Sequence, residues 1–435
     1  MKKGLEMKDQ LPEYVRKQFP ALKREFNGHP VAYLDGPGGY QVPESVITAV
    51  NHYLIDMNAN VGDQFETAQN TSTIIQDARD IFADFFNCSW EEVVFGANMT
   101  TLNFALAQAL VRQLTPGDTV LITELDHEAN RGPWLQLMDR GIDVAEVAMD
   151  IDTCTLDMED FRNKLLKKPK VVAVNYASNG VGTISDVQKI IQLSHEVGAI
   201  AVIDAVHFAA HGSIDVKKLD ADFLLCSAYK FFGPHIGVMY AKKEVLSQLA
   251  PLNLRTQSQS PPYMMETGTL HHEGIVGAAA AVEFIANIGL KFGTDLDEQS
   301  EDLKSNRRTQ IISGLRAFEN YEMGLTEYLI EAIASNISKA VVYGPAPGHP
   351  RTSTVSLTYE GYTADQIAKY LGNRALFVWG GHFYAIRLVE RLGLLDRGGL
   401  VRVGIAPYNN EAELVRLIEA LQDEDALQKF VTTLS

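Results

Sequence analysis

The chain is poor in cysteine and in positive charge. Its 435 residues hold three cysteines, Cys88, Cys154 and Cys226, too few and too scattered for a disulfide framework, and no CxxC pair points to zinc or a dithiol redox site. A reducing, cytoplasmic setting is expected. Lys and Arg total 38 against 55 Asp and Glu, a formal charge of −17, and no basic cluster exceeds short pairs such as Lys167-Lys168. Binding a nucleic-acid backbone requires neutralising many phosphates at once, so nucleic acid is not an expected partner. No uninterrupted run of roughly 18 apolar residues occurs, and the first residues alternate charge with isolated apolar positions; neither a membrane span nor a secretory signal is expected. Gly36-Pro37-Gly38-Gly39 lacks the GxGxxG spacing of a dinucleotide fingerprint and reads as a turn. In His271-His272-Glu273 adjacent side chains point apart and no third ligand is suitably spaced, so no metal is expected.

What is present is an ordinary folded composition, 46% hydrophobic and 21% charged, long enough for two packed cores. From about residue 90 to 240, short β-branched runs alternate with helical periods, the pattern of a parallel sheet wound with crossover helices. Leu102, Ala105, Leu106, Ala109 and Leu110 keep helical spacing up to the turn at Pro116-Gly117-Asp118. Strands are expected over 120–123, around 144–148, and over 171–176, 199–204 and 222–227, followed by a hairpin-like return at GVMYA. Beyond about 280 the rhythm changes to long helical stretches, then strand-like VSLTYEG, a helix over 364–371, ALFVWG and LVRVGIA. Asn410 and Glu413 carry the spacing of a capping box at the start of the last helix. The expected organisation is an arm over 1–30 lying outside the sheet and packing with the small domain, a large α/β domain over 31–280, and a smaller α+β domain over 281–435.

Ligands of open parallel sheets collect beyond the C-terminal strand ends, and the residues there form an unusually polar set: 98–101, 124–130, Ser178-Asn179, Asp204 with His207, and 227–230. Lys230 follows the apolar run DFLLCSAY, where partial desolvation makes an amine lose its proton more readily and become nucleophilic. A Schiff-base role follows; a lysine snorkelling from a loop is the plain alternative. Asp204 ends AIAVID, and a buried carboxylate there needs a partner: a metal, a pyridinium nitrogen or an arginine elsewhere, unless it simply caps a helix. The segment GANMTT sets small and hydroxylated residues at a helix start, where free N–H groups and the helix dipole attract phosphate and Thr100 adds a hydroxyl; plain capping explains the same residues. His127, just after VLIT, reaches the same sheet end as a ring partner or proton shuttle, or else is a surface histidine.

Together these residues resemble the class V aminotransferase family of pyridoxal-phosphate (PLP) enzymes, fold type I, and most closely its cysteine desulfurase and selenocysteine lyase branch. The resemblance runs through AYLDGPGGYQVPESV (32–46), ELDHEANRGPW (124–134), NYASNGVGTISDV (175–187), the segment 202–240, METGTLHHEGIVG (265–277) and GLVRVGIAPYNNEAEL (399–414). Its most specific element is a strand-end Asp204 followed 26 residues later by the lysine of SAYK. It implies a mostly parallel seven-stranded sheet in the large domain. Lys230 would carry the cofactor as a Schiff base, Asp204 would keep its pyridine nitrogen protonated, and His127 would lie over the ring. His207, where relatives often carry Gln, would reach the phenolic oxygen. Met99, Thr100, Ser227 and Tyr229 (a histidine in many relatives) would hold the phosphate. Asn179, also beside the cofactor, and Arg402 would bind the substrate carboxylate, the latter as a bidentate fork. Thr269 would reach the phosphate of a neighbouring copy, which implies a homodimer with shared sites.

The departures concern the reaction. Desulfurases of this branch take substrate sulfur onto a mobile cysteine in a Gly-His-His-Cys context. Here the corresponding text is WGGHFYAIRLVERLG (379–393), with Tyr384 in the cysteine's place and His382 nearby, both expected at the substrate. A phenol cannot carry a persulfide. The usual Arg-Gly-x-His signature is also missing, replaced by the region around GDQFET (62–67). The expected activity is therefore a C–S lyase or related β-elimination on a small amino acid. Amino transfer, epimerisation and a cofactor-binding scaffold without turnover are the alternatives.

Overall fold

The computed structural model describes residues 10–293 and 305–433. Seven strands form one sheet: β1 (Val93–Gly96), β2 (Thr119–Thr123), β3 (Asp143–Val147), β4 (Val171–Asn175), β5 (Ile200–Asp204), β6 (Phe223–Ser227) and β7 (Gly237–Ala241). Their order is β1-β7-β6-β5-β4-β2-β3, and only β7 runs against its neighbours. The pleat sends alternate side chains to opposite faces, so Val172 and Val174 of β4 enter one core while Val171 and Ala173 enter another. Helices cover both faces, which is why these strands read as continuous apolar runs rather than as alternating ones. Each fully buried Val, Leu or Ile contributes about 1.5–3 kcal/mol. From β2 the chain extends to β3 on one side and then crosses to β4 on the other. The crevice of this reversal therefore opens between the C-terminal ends of β2 and β4, where such sheets bind ligands.

A second, antiparallel sheet joins β8 (Ala340–Tyr343), β9 (Thr354–Tyr359), β10 (Trp379–Gly381) and β11 (Leu400–Gly404) in the order β8-β9-β11-β10. A separate core packs it against the helices Ala364–Gly372 and Glu411–Gln422, the latter opened by the capping box of Asn410 and Glu413.

The expected boundary at 280 needs correction, because it falls inside the helix His272–Phe292, whose Ala278, Ala281, Val282 and Ile285 are buried in the first core. The changeover runs instead along the 30-residue helix Arg307–Asn336: Ile311, Leu315 and Phe318 belong to the first core, Leu325, Leu329 and Ile333 to the core of the small sheet. The two helices touch backbone to backbone, for a Cβ on Gly289 would lie 1.8 Å from the Gln310 carbonyl oxygen. His272–Phe292 is also long and apolar enough to cross a membrane, because Gly and Ala fill the gaps between its larger residues; 67% of its most apolar window is buried inside the protein.

Residues 1–9 of the expected arm lie outside the described residues. The remainder does not pack with the small sheet alone. Leu11, Val15 and Phe19 enter the first core, while Arg16 reaches the Tyr408 carbonyl and Glu413 Oε1, the latter at 2.8 Å.

Candidate active site

Strand β6 ends at Ser227, and the single tight turn Ala228–Lys230 brings the lysine over the sheet ends. Its Nζ donates to the Pro37 carbonyl and lies 4.7 Å from the centre of the Tyr229 ring. Burial above all, and then the charge of Arg402, push the Lys230 amine down to about 7, against the opposing pull of Asp35 and Asp204. The lysine is therefore not a snorkelling surface residue: near neutral pH a large share of it carries a free lone pair.

Asp204 ends β5 and is buried, and among the described residues it accepts one hydrogen bond, from the Val206 amide at 2.9 Å. Among the described residues no arginine pairs with it. Desolvation pushes its carboxyl up to about 7, helped by the neighbouring charge of Asp126.

The helix Met99–Leu110 begins at the same place. Asn98 caps it by accepting from the Thr101 amide, and the Met99 amide donates to Ser227 Oγ at 2.9 Å, which ties β6 to the helix start. His127 caps the next helix, Glu128–Leu135, with Nδ1 accepting from the Ala129 amide at 2.9 Å. That bond fixes Nε2 as the N–H donor of a neutral ring, and burial followed by the Lys230 charge holds the imidazole down to about 4. His207 gives its Nε2 to the hydroxyls of Thr352 and Thr354, each at 3.0 Å. Both belong to the small-sheet half, so this contact joins the two halves, and Nδ1 is the nitrogen left for a ligand.

Arg402, on β11, is buried but is not an empty fork. Nη2 pairs with Asp35 Oδ1 at 2.8 Å and Nη1 donates to the Asn179 carbonyl at 3.1 Å, which leaves Nε without a partner. The bidentate clamp expected from the sequence thus has its two terminal nitrogens already engaged. Asn179 itself donates to the Phe383 carbonyl at 2.9 Å, while its Oδ1 is buried and unpartnered. Phe383 and Tyr384 both hold left-handed backbone, φ 54° and 57°, a conformation side chains other than glycine rarely adopt. Neighbouring bonds impose it: the Tyr384 carbonyl accepts from the Glu128 amide at 2.7 Å and its amide donates to His382 Nδ1 at 3.1 Å. Beyond the loop, Arg387 bridges Glu124 and Glu146 at 3.1 and 2.8 Å, and Arg391 meets Glu124 at 2.9 Å. The loop is pinned to the large sheet.

Two cavities of about 520 Å³ each meet at Lys230. The first contains Met99, Thr100, His127, Asn179, Asp204, His207, Ser227, Tyr229 and Lys230. The second shares Thr100, His127, Asn179, Tyr229 and Lys230 and adds Tyr384 and Arg402. His382 lines neither; its ring nitrogen is used by the turn. Thr269 lines a separate cavity of about 630 Å³, where the buried bidentate pair of Glu266 with Arg79 anchors the loop before it.

A model of the class V aminotransferase family matches residues 32–312 and 309–417. The chain belongs to the class V aminotransferase family. Among its relatives, an aminotransferase-like protein of Gibberella zeae is 32% identical over 424 residues, covering 94% of this chain and 97% of its own. A cysteine desulfurase of Pectobacterium carotovorum subsp. carotovorum is 29% identical over 427 residues, covering 94% and 97%. The apo structure of a cysteine desulfurase from Thermococcus onnurineus NA1 superposes with a TM-score of 0.83 at 26% identity, covering 95% of this chain and 98% of the other. The family is PLP-dependent, and the chain is an enzyme of fold type I.

Sequence reasoning missed five residues of this site. Asp35 pairs with Arg402, Pro37 accepts from Lys230, and Trp379 and Phe104 line the second cavity. The Gly-Pro-Gly-Gly run was the available signal: a Cβ on Gly38 would lie 2.0 Å from Asp35 Oδ2, so the turn exists to fold this carboxylate back. His235, stacked on Tyr229 at 4.7 Å, also lines the first cavity and carried no sequence signal.

Proposed function

We propose that the protein binds PLP in the first cavity and uses it for β-elimination from a small amino acid of the cysteine type, releasing sulfur directly. The observation that carries the reading is the pinned Tyr384 loop together with the cysteines: neither cavity beside Lys230 is lined by a thiol. Cys154 and Cys226 are buried and burial raises both thiols, so neither is a ready acceptor.

The residues fit the cofactor chemically. Asp204 is a buried carboxylate with one N–H donor, and a protonated pyridine nitrogen is the cation it lacks. Lys230, held near neutrality, suits capture of an aldehyde. Thr100 and Ser227 at a helix start suit a phosphate dianion, with Met99 there and Tyr229 beside it. His207 Nδ1 suits an oxygen on the ring edge, and the neutral His127 suits a ring face.

When bound, the cofactor supplies an electron sink for the pair left at Cα. The other tasks fall to the chain. Arg402 Nε, the free donor of a buried guanidinium, holds the substrate carboxylate beside Asn179. The unprotonated Lys230 Nζ takes the Cα proton. As the Cβ–S bond breaks, its electron pair leaves on sulfur, which takes up a proton; water then converts the remaining carbons to pyruvate and ammonia. Tyr384 closes the cavity mouth and His382 shapes its turn. Thr269 would serve the site of a second copy in a homodimer. Few cysteines, none disulfide-bonded, suit a cytoplasmic setting.

Purified holoenzyme given cysteine tests the reading by its products. Elimination yields sulfide and pyruvate in equal amounts. Alanine together with sulfur retained on the protein would instead mean desulfuration, and a keto acid formed only with an amino acceptor would mean transamination.

A further inference from the structure

The second cavity differs from the first in its lining: Phe104, Trp379, Phe383 and Tyr384 surround the approach to Lys230. Phe383 is buried with the Arg402 guanidinium 4.4 Å over its ring. The other three are 40, 42 and 57% exposed. Large rings left in water around a concavity that ends on a reactive amine mark a subsite for an apolar group. Charge argues the same way, because Glu128, the one carboxylate on this wall, pairs with Arg131 at 3.2 Å. A cationic substituent therefore meets no free anion. The wall is also preformed, since the bonds to Tyr384 and the Arg387 and Arg391 pairs hold it before any ligand arrives, and a preformed wall binds with little ordering cost. Even with its carboxylate at Arg402 and Asn179 and its Cα at Lys230, a bare cysteine leaves part of the cavity's volume of about 520 Å³, on the side of the aromatic wall, unfilled.

We propose that the second cavity is the side-chain subsite and that the substrate is an S-conjugated cysteine whose sulfur bears a bulky apolar group of about the size of an aromatic ring. The inference rests on the elimination reading and names its substrate class. The balance is unchanged: Lys230 removes the Cα proton, the Cβ–S bond breaks, the pair and a proton leave with the sulfur as a thiol, and water completes pyruvate and ammonia.

The test compares S-benzylcysteine with cysteine on the holoenzyme, following thiol or sulfide and pyruvate. It also measures calorimetric binding of S-benzyl-2-methylcysteine, which has no Cα proton to lose. The expected result is a kcat/KM at least about tenfold higher for the conjugate. Trp379→Ala and Phe104→Ala should each lower that ratio about three- to tenfold and weaken binding of the unreactive analogue in parallel. Elimination from cysteine with no advantage for the conjugate overturns the subsite and leaves the proposed reaction standing. An advantage and a Kd that survive both substitutions overturn it as well. Elimination from neither amino acid removes the reaction and the subsite together.

Discussion

Asp204→Asn offers a test with opposite signs in the two forms of the protein. Burial lifts this carboxyl from 3.8 to about 7, with one amide donor in partial compensation. At about 1.36 kcal/mol per pH unit, that gap corresponds to about 4 kcal/mol. The folded carboxyl holds its proton more tightly than the unfolded one, so this group makes the cofactor-free protein lose stability as pH rises from about 4 to about 7. The loss is complete above that range. An asparagine carries no charge but leaves an amide in need of partners, which reduces the expected gain to about 2–4 kcal/mol at pH 8. With an unfolding entropy of roughly 2.1 cal/mol/K per residue, 435 residues give about 0.9 kcal/mol per degree, so Tm should rise by about 2–4 °C. At pH 4, where the parent carboxyl is already protonated, the electrostatic gain is absent and only the cost of the amide is left, so the variant should melt no higher than the parent and up to about 2 °C lower. On the proposed function the sign should reverse after loading with PLP, because the variant would lack the anion proposed to steady the pyridinium. Melting curves of both forms at pH 4 and 8 decide it. If cofactor-free Asp204→Asn is no more stable at pH 8, the carboxylate already has a cation and the electrostatic reasoning about this site fails.

Lys230→Ala should abolish the visible absorbance of PLP-loaded protein and all turnover; an unchanged spectrum would place the cofactor elsewhere. Folded Lys230 is held below its ordinary value, so in cofactor-free parent protein it adds stability as pH rises from about 7 to 10.5, and Lys230→Met should remove that increment from the melting profile. Gly38→Ala should displace Asp35, free Arg402 Nη2 and change KM for the amino acid more than kcat; unaltered kinetics would mean that the pair does not shape the site. Glu124→Gln should weaken the hold on Arg387 and Arg391, making the Tyr384 loop more sensitive to protease with a severalfold fall in kcat/KM, whereas equal protease resistance would show that the loop is held by other contacts.

The large sheet was legible because strands buried on both faces must be apolar throughout, and VVAVN and FLLCS announce themselves by that alone. Asp204 and Lys230 were legible for the complementary reason: a charge at the end of such a run lies where burial is costly unless the charge has a task. The end of the large unit was misread at 280 because His272–Phe292 and Arg307–Asn336 both read as long helical stretches, and which core each one joins is set by packing rather than by local pattern. Local sequence fixes strands, caps and which charges lie near the sheet ends, since those depend on neighbours a few positions away. The pairing of Asp35 with Arg402 spans 367 positions, and the hold of Arg391 on Glu124 spans 267. Such contacts exist only once two separately packed cores are brought together along one long helix, so the tertiary structure alone decided which donors of Arg402 are free and how wide the cavity beside Lys230 is.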